Sequence, residues 1–218
     1  MSNRTIAEQV DDFNDGFIEQ IGPDLAAVFT EEQRALNSGG VPADVVSVGD
    51  VVRDATLITT EGTATTLSAA LAGSPGVVVF YRGAWCPYCN IALQTYQRDL
   101  LPTLREQGVA LIAISPQTPE ASERSVANGG LEFTVLSDPG NVLIRELGIV
   151  TEPAATARQA QAQLGFDVAD SNADATGDIP FPTVLVVDAD RTVRFADVHV
   201  DYTTRTEVAT ILEAVDIL

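Results

Sequence analysis

At 218 residues, 45% of them apolar, the chain can bury one substantial core, and nothing in its length forces a second. Its formal net charge of −19, with all 12 basic side chains arginine and no lysine, argues against nucleic acid and anionic membrane as partners. Such a surface suits a high-salt interior, where screening relieves self-repulsion, and equally an ordinary acidic protein.

The first dozen residues lack the apolar core of a secretory signal, and no run approaches the ~20 apolar residues of a membrane span, so a soluble, cytoplasmic protein is expected. Ile6, Val10, Phe13, Phe17, Ile21, Leu25 and Phe29 recur at roughly helical spacing, broken by Gly22-Pro23, which predicts two helices within residues 5–37. Residues 37–42 read as a linker, so 1–41 form an N-terminal helical extension and 42–218 the main domain. Extended stretches at 48–52 and 55–60 lead to a hairpin turn at Glu61-Gly62, and Thr66 opens a short helix to Leu71. Gly73-Ser74-Pro75-Gly76 returns the chain to an apolar strand at 77–80, followed by one long helix from Asn90 to Gln107. The continuous apolar run 109–114 suits a strand covered on both faces. A helix from Thr118 or Pro119 through Val126, a strand at 133–136 and a helix from Asp138-Pro139-Gly140 to about Gly148 complete the middle of the chain. Residues 152–178 interrupt this rhythm: a helix near 154–164 is expected, then a loose acidic loop, either a lid or a disordered insertion. A hairpin of 183–187 and 192–198 about Asp188-Ala189-Asp190 and a helix over 204–215 close an α/β sheet with covered faces.

Cys86 and Cys89 are the only cysteines, so any intramolecular thiol chemistry lies in one Cys-X-X-Cys, placed after a strand and at a helix start. Pro87 suits the first helical turn because it has no N–H to lose there, and the free N–H groups of that turn stabilise a nearby thiolate. Thiols so placed titrate at roughly 3.5–7.5 rather than ~8.5. A thiolate can attack a disulfide or a peroxide, and the second cysteine can then resolve the product into a disulfide. Three plainer readings compete: a structural disulfide, which closes too small a loop to remove much entropy; a zinc half-site, which lacks further ligands beyond His199; and two inert buried thiols. No metal or cofactor is expected.

The block Phe80-Tyr81-Arg82-Gly83-Ala84-Trp85-Cys86-Pro87-Tyr88-Cys89-Asn90 resembles the thioredoxin superfamily, and more narrowly the peroxiredoxin-like branch of the alkyl hydroperoxide reductase/thiol-specific antioxidant family. Ala113-Ile114-Ser115-Pro116-Gln117, Leu136-Ser137-Asp138 and Asp201-Tyr202-Thr203-Thr204-Arg205 support the resemblance, which covers about residues 45–215. It implies a thioredoxin-like fold, a central mixed sheet flanked by helices, behind the N-terminal helical extension. It further implies a peroxidase that reduces hydrogen peroxide or organic hydroperoxides through a cysteine sulfenic acid, with thioredoxin or a similar dithiol as reductant, and it leaves room for a homodimer. Aligned on Phe80-Tyr81, the peroxiredoxin pattern nominates Cys89 as attacker, whereas thioredoxin logic nominates Cys86. The family's Thr is replaced by Cys86, its Pro by Arg82, and the Arg before the late strand is missing from Ile179-Pro180-Phe181-Pro182-Thr183.

These departures keep alternatives open: a thiol-disulfide oxidoreductase acting on protein or small disulfides, or a redox-sensing binding module. Arg82 can place a guanidinium near the thiolate or pair with a carboxylate. Pro182 resembles the cis-proline that guides extended substrates in thioredoxins. Trp85 and Tyr88 either wall a substrate groove or cover core. His199 reads as a strand-end residue. Tyr202 and Arg205 either belong to a family element of unassigned role or steady the start of the last helix.

Overall fold

The computed structural model describes residues 4–218. Helix α1 (Ile6–Ile21) begins at a capping box, in which the Thr5 hydroxyl accepts from the Glu8 amide and the Glu8 carboxylate accepts from the Thr5 amide. Gly22, at φ +81°, breaks the helix in a conformation that favours glycine, and Pro23 starts α2 (Pro23–Gly39).

The main domain contains β1 (Thr56–Thr59), β2 (Ala64–Thr66), α3 (Leu67–Leu71), β3 (Gly76–Phe80), α4 (Pro87–Thr95), α5 (Leu101–Gln107), β4 (Ala110–Ser115), α6 (Pro119–Gly129) and β5 (Thr134–Ser137). Then come α7 (Val142–Glu146), β6 (Val150–Thr151), α8 (Ala155–Gln163), β7 (Ile179–Pro180), β8 (Thr183–Val187), β9 (Val193–Val198) and α9 (Val208–Val215). Seven strands form one mixed sheet in the order β2-β1-β5-β4-β3-β8-β9. Its centre, β3, β4 and β5, is parallel, and β8 joins β3 antiparallel with Phe80 opposite Thr183.

Strand alternation divides the apolar side chains between two cores. Val77, Val79, Leu111, Ala113, Val184 and Val186 face α4, α5 and α9 on one side, while Val78, Phe80, Ile112, Ile114, Leu185 and Val187 face α3 and α7 on the other. Both faces are covered, which is why these strands read as continuous apolar runs. The N-terminal helices are docked: Ile6 and Val10 enter the first core, and the Glu207 carboxylate accepts from the Ile6 and Ala7 amides at 3.0 and 2.9 Å.

Four local expectations need correction. The long helix after the cysteines is interrupted by a π-helical turn, Tyr96–Leu100, because Pro102 cannot donate back into the helix and its ring crowds the preceding turn. The last helix begins at Val208 rather than Thr204, since Asp201, Thr203, Thr204 and Thr206 spend their side chains on local hydrogen bonds that compete with helix. The segment after α8 is not loose: the Thr118 amide donates to the Ser171 carbonyl and the Ala173 amide to the Pro116 carbonyl, both at 2.9 Å, stapling it to the β4–α6 turn. Finally, no described peptide bond is cis, so Pro182 departs from the cis-proline resemblance. The chain enters β8 already extended, with β7 paired to β6 and the Phe181 amide donating to the Ile149 carbonyl at 2.7 Å.

Candidate active site

β3 delivers the chain to a tight turn, Tyr81–Pro87 in sequence, that ends at the start of α4. Gly83 is required there: at φ +149° a Cβ would lie 2.5 Å from the Trp85 indole nitrogen and 2.9 Å from the Gln117 side chain. Gln117 accepts from the Ala84 amide at 2.8 Å, and Asn90 donates to the Ala84 carbonyl at 2.9 Å, so the middle of the turn is tied to the fold through both backbone groups of Ala84. Cys86 is then the N-cap of α4, Pro87 its first residue and Cys89 part of its first turn. Both thiols are free and each is 1% exposed.

Sequence reasoning left Arg205 without a role. Its Nη2 donates to Cys89 Sγ at 3.0 Å and reaches Cys86 Sγ at 3.8 Å. Its Nη1 donates to the Tyr202 and Thr204 carbonyls at 2.7 and 2.6 Å, and Tyr96 of the π turn donates to the Thr206 carbonyl at 2.7 Å. His199, at the end of β9 as expected, bonds Thr204 and Asp197 and so braces the same loop.

These contacts make the two sulfurs unlike. Burial alone would raise Cys89, but the hydrogen bond from Cys86, the Arg205 charge, the Arg82 amide and the Arg82 guanidinium together hold it well below the ordinary thiol range. Burial, the proton shared with Cys89 and the Cys89 charge push Cys86 well above it, with Arg205 and Arg82 opposing. The surroundings therefore favour negative charge on Cys89 over Cys86.

The other candidates gather on the Cys86 side. Arg82, 5% exposed, lies 4.1 Å from the Tyr202 ring centroid and 5.2 Å from that of Trp85, so it is stacked between aromatic faces rather than paired with a carboxylate. Tyr202 donates to Glu32 of α2 at 3.0 Å, and Glu32 also accepts from the Ala154 amide at 2.8 Å. Trp85 stacks on Phe166, with centroids 5.5 Å apart. Tyr88 packs edge-on to Phe13 of α1 and donates to Asn14 at 2.8 Å; burial and the neighbouring Cys86 push its phenol up to about 12, so it stays protonated at neutral pH. A cleft of about 950 Å³ runs between these helices and the Cys86 surface. Pro182 lies apart from it, beside Cys89 and Arg205 in a much smaller cavity.

Residues 48–196 match the AhpC/TSA family. The chain belongs to this family. Over 75 residues it is 31% identical to the thiol-disulfide oxidoreductase ResA of Bacillus thuringiensis (strain Al Hakam) and to that of Bacillus anthracis, covering 34% of this chain and 43% of each relative. The match thus spans less than half the length of those curated relatives. Among solved structures, reduced Prx3 of Vibrio vulnificus superposes with TM-score 0.63 at 19% identity, covering 79% of this chain and 99% of that one. The peroxidoxin BcpB of Mycobacterium tuberculosis gives 0.59 at 20% identity, covering 79% and 98%. A putative protein disulfide isomerase of Bacteroides thetaiotaomicron gives 0.54 at 16%, covering 79% and 89%. These likenesses establish a thioredoxin-like fold.

The AhpC/TSA match begins after α1 and α2, so Glu32 and the aromatic wall of α1 belong to the additional helices. Sequence periodicity identified those helices; nothing in it indicated that they cover the cysteine pair.

Proposed function

We propose that the protein is a thiol peroxidase in which Cys89 attacks and Cys86 resolves. The observation that carries this reading is the 3.0 Å contact of Arg205 Nη2 with Cys89 Sγ, which supplies a partly buried cation to the sulfur at the peroxiredoxin position. In the first step the Cys89 thiolate attacks the terminal peroxide oxygen, the O–O bond breaks, and the departing alkoxide or hydroxide takes a proton to leave as alcohol or water. Arg205 and Arg82 stabilise the charge that moves onto that leaving oxygen. The Cys89 sulfenic acid then condenses with the Cys86 thiol, releasing water and forming the disulfide. Two thiols and one hydroperoxide thus become one disulfide, one alcohol and one water. A dithiol such as thioredoxin returns the pair to the reduced state and is itself oxidised.

The reading is tested by stopped-flow fluorescence of Trp85, the single tryptophan, on mixing reduced protein with hydrogen peroxide or an organic hydroperoxide. Rapid oxidation that survives in Cys86→Ser, with a trappable sulfenic acid, and is lost in Cys89→Ser is the expected result. Oxidation no faster than that of a free thiol, together with ready exchange with a disulfide substrate, favours the second reading, a thiol-disulfide oxidoreductase. That alternative draws on Cys86, which lines the cleft while Cys89 does not.

A further inference from the structure

Arg82 is the one buried arginine of the described residues, and no carboxylate among them pairs with it. Its guanidinium lies over the Tyr202 ring, and its Nε is buried without an acceptor among the described residues. Glu32, which shares the cleft, gives its two oxygens to the Tyr202 hydroxyl and the Ala154 amide instead. In the reduced protein, charge on Cys89 faces both Arg205 and Arg82. A Cys86–Cys89 disulfide carries no charge, so its formation takes that anion away from both guanidiniums, and a buried cation without an anion is costly.

Gln161 of α8 is a second polar side chain left open. It is 4% exposed, and its Oε1 is buried without a donor among the described residues. Arg82, Gln161 and Cys86 all line the cleft of about 950 Å³, a volume in the range of small-molecule sites, whereas Cys89 does not line it. The cleft thus offers a cation, an N–H acceptor and one of the two sulfurs. An occupant that meets all three carries a carboxylate, an N–H group and a thiol, as a cysteine acylated at nitrogen does.

We propose that the cleft is where the disulfide is reduced, by a small cysteine-like thiol whose carboxylate is held by Arg82, whose N–H donates to Gln161 and whose sulfur attacks Cys86. The inference rests on the disulfide that the peroxidase reading forms and names the reductant for it. The thiol first loses its proton to solvent. Its thiolate then bonds to Cys86 Sγ, the Cys86–Cys89 bond breaks, and Cys89 leaves as a thiolate beside Arg205. A second molecule attacks the outer sulfur of the mixed disulfide, and Cys86 leaves and takes up a proton. Two small thiols become one small disulfide, supplying together the two electrons that a dithiol supplies alone.

The direction of attack follows from access and from the leaving group. Cys86 is the sulfur on the cleft, and a thiol held at low pKa, as Cys89 is, leaves faster than one pushed up, as Cys86 is. Size follows from the cover. Cys86 is 1% exposed beneath α1 and α2, which are fixed by Glu207 at the Ile6 and Ala7 amides, by Tyr88 at Asn14 and by Glu32 at Ala154. A folded protein has to lift these helices to bring its own sulfur to Cys86, and a small molecule does not.

The test starts from protein whose disulfide has been formed with diamide, so no peroxide chemistry enters it. Its reduction is timed with N-acetylcysteine and with N-acetylcysteamine, which has the same thiol and N–H but no carboxylate. Each rate is expressed per thiolate and divided by the rate with the uncharged bis(2-hydroxyethyl) disulfide. N-acetylcysteine is expected to be at least tenfold the faster, Arg82→Gln to bring the ratio near one, and Arg82→Lys, which keeps the charge and controls for misfolding, to retain part of it. Gln161→Leu slows N-acetylcysteine severalfold and leaves 3-mercaptopropionate, which has no N–H, unchanged. Acid-quenched intermediates carry the thiol on Cys86 by peptide mass mapping.

A ratio near one in the parent protein, a ratio indifferent to Arg82→Gln, or an adduct on Cys89 overturns the proposal. Reduction by thioredoxin at far lower concentration than by N-acetylcysteine, and equally in Arg82→Gln, overturns it in favour of a protein partner. Failure of hydroperoxides to form the disulfide overturns the peroxidase reading instead, while the tenfold ratio and the Cys86 adduct still support the reductant site.

Discussion

Cys86 and Cys89 stand three residues apart on one helical turn, equally buried, yet they face different surroundings. Cys89 points to a small closed cavity with Arg205, Pro182 and Tyr96, where a charge-assisted hydrogen bond can hold a thiolate. Cys86 fronts the wide aromatic cleft, where burial and the charge on its neighbour keep its proton in place. The residue type and the helix dipole are common to both, so neither decides which sulfur carries the charge. What differs is the set of donors each sulfur meets: Cys89 accepts from Cys86 and from the Arg82 amide, and the Arg205 guanidinium, from a loop more than a hundred residues away, lies 3.0 Å from it against 3.8 Å from Cys86.

Removing that guanidinium breaks the comparison most directly. Arg205→Met keeps much of the side-chain volume and deletes the charge. A hydrogen bond to a charged group contributes about 1.5–3 kcal/mol, so peroxide oxidation of Cys89 is expected to slow by roughly 10- to 100-fold. The pH profile of iodoacetamide alkylation shows the same change. In the parent protein Cys89 has a depressed pKa, so its thiolate persists as pH falls below ~8.5, until the pH passes the depressed value. In Arg205→Met the inflection moves upward, because burial remains while the opposing charge is gone. An unmoved inflection would mean that the helix start, not the arginine, carries the thiolate.

The other sulfur contributes as well. Cys86→Ala removes the thiol hydrogen bond that also lowers Cys89, so the alkylation inflection rises in this variant too, with Arg205 still in place. The sulfenic acid formed on Cys89 then has no resolving partner and should persist long enough to trap with dimedone. A variant that still forms an intramolecular disulfide is impossible with one cysteine, so rapid loss of the sulfenic acid there would instead indicate over-oxidation or a second molecule.

The contrast also shows what a linear sequence can carry. The strands and their two-sided burial were legible because pleating turns every second residue to the same core, as in Val77 and Val79 against Val78 and Phe80. The cysteine pair, Pro87 at the helix start and both N-terminal helices were legible for similarly local reasons. Arg205 was not: the position where the family carries its arginine is filled by an extended trans segment at Pro182, and the cation arrives instead from the loop after β9. Its motif was visible, but the hydrogen bonds that fold 201–206 away from helix and aim Arg205 at the sulfurs are tertiary. Likewise, an amphipathic helix announces that it will bury one face without stating against what. The docking of α1 and α2 over Cys86 therefore became readable only from contacts such as Phe13 with Tyr88 and Glu32 with Tyr202.

That last contact sets the smallest effect. Tyr202→Phe retains the ring beneath Arg82 and deletes only the hydroxyl that reaches Glu32, whose other oxygen stays bonded to the Ala154 amide. Loss of one hydrogen bond to a buried carboxylate is expected to lower global stability by about 1–2 kcal/mol in urea unfolding. The Cys89 alkylation inflection should stay where it is, since the hydroxyl faces α2 and Arg205 is held through the Tyr202 carbonyl rather than its side chain. Tyr202→Leu, which also removes the aromatic face under Arg82, then separates the two roles. A shift in the inflection confined to the leucine variant assigns Arg82 a share in holding the thiolate, whereas an equal shift in both would tie the helical extension itself to the sulfur chemistry.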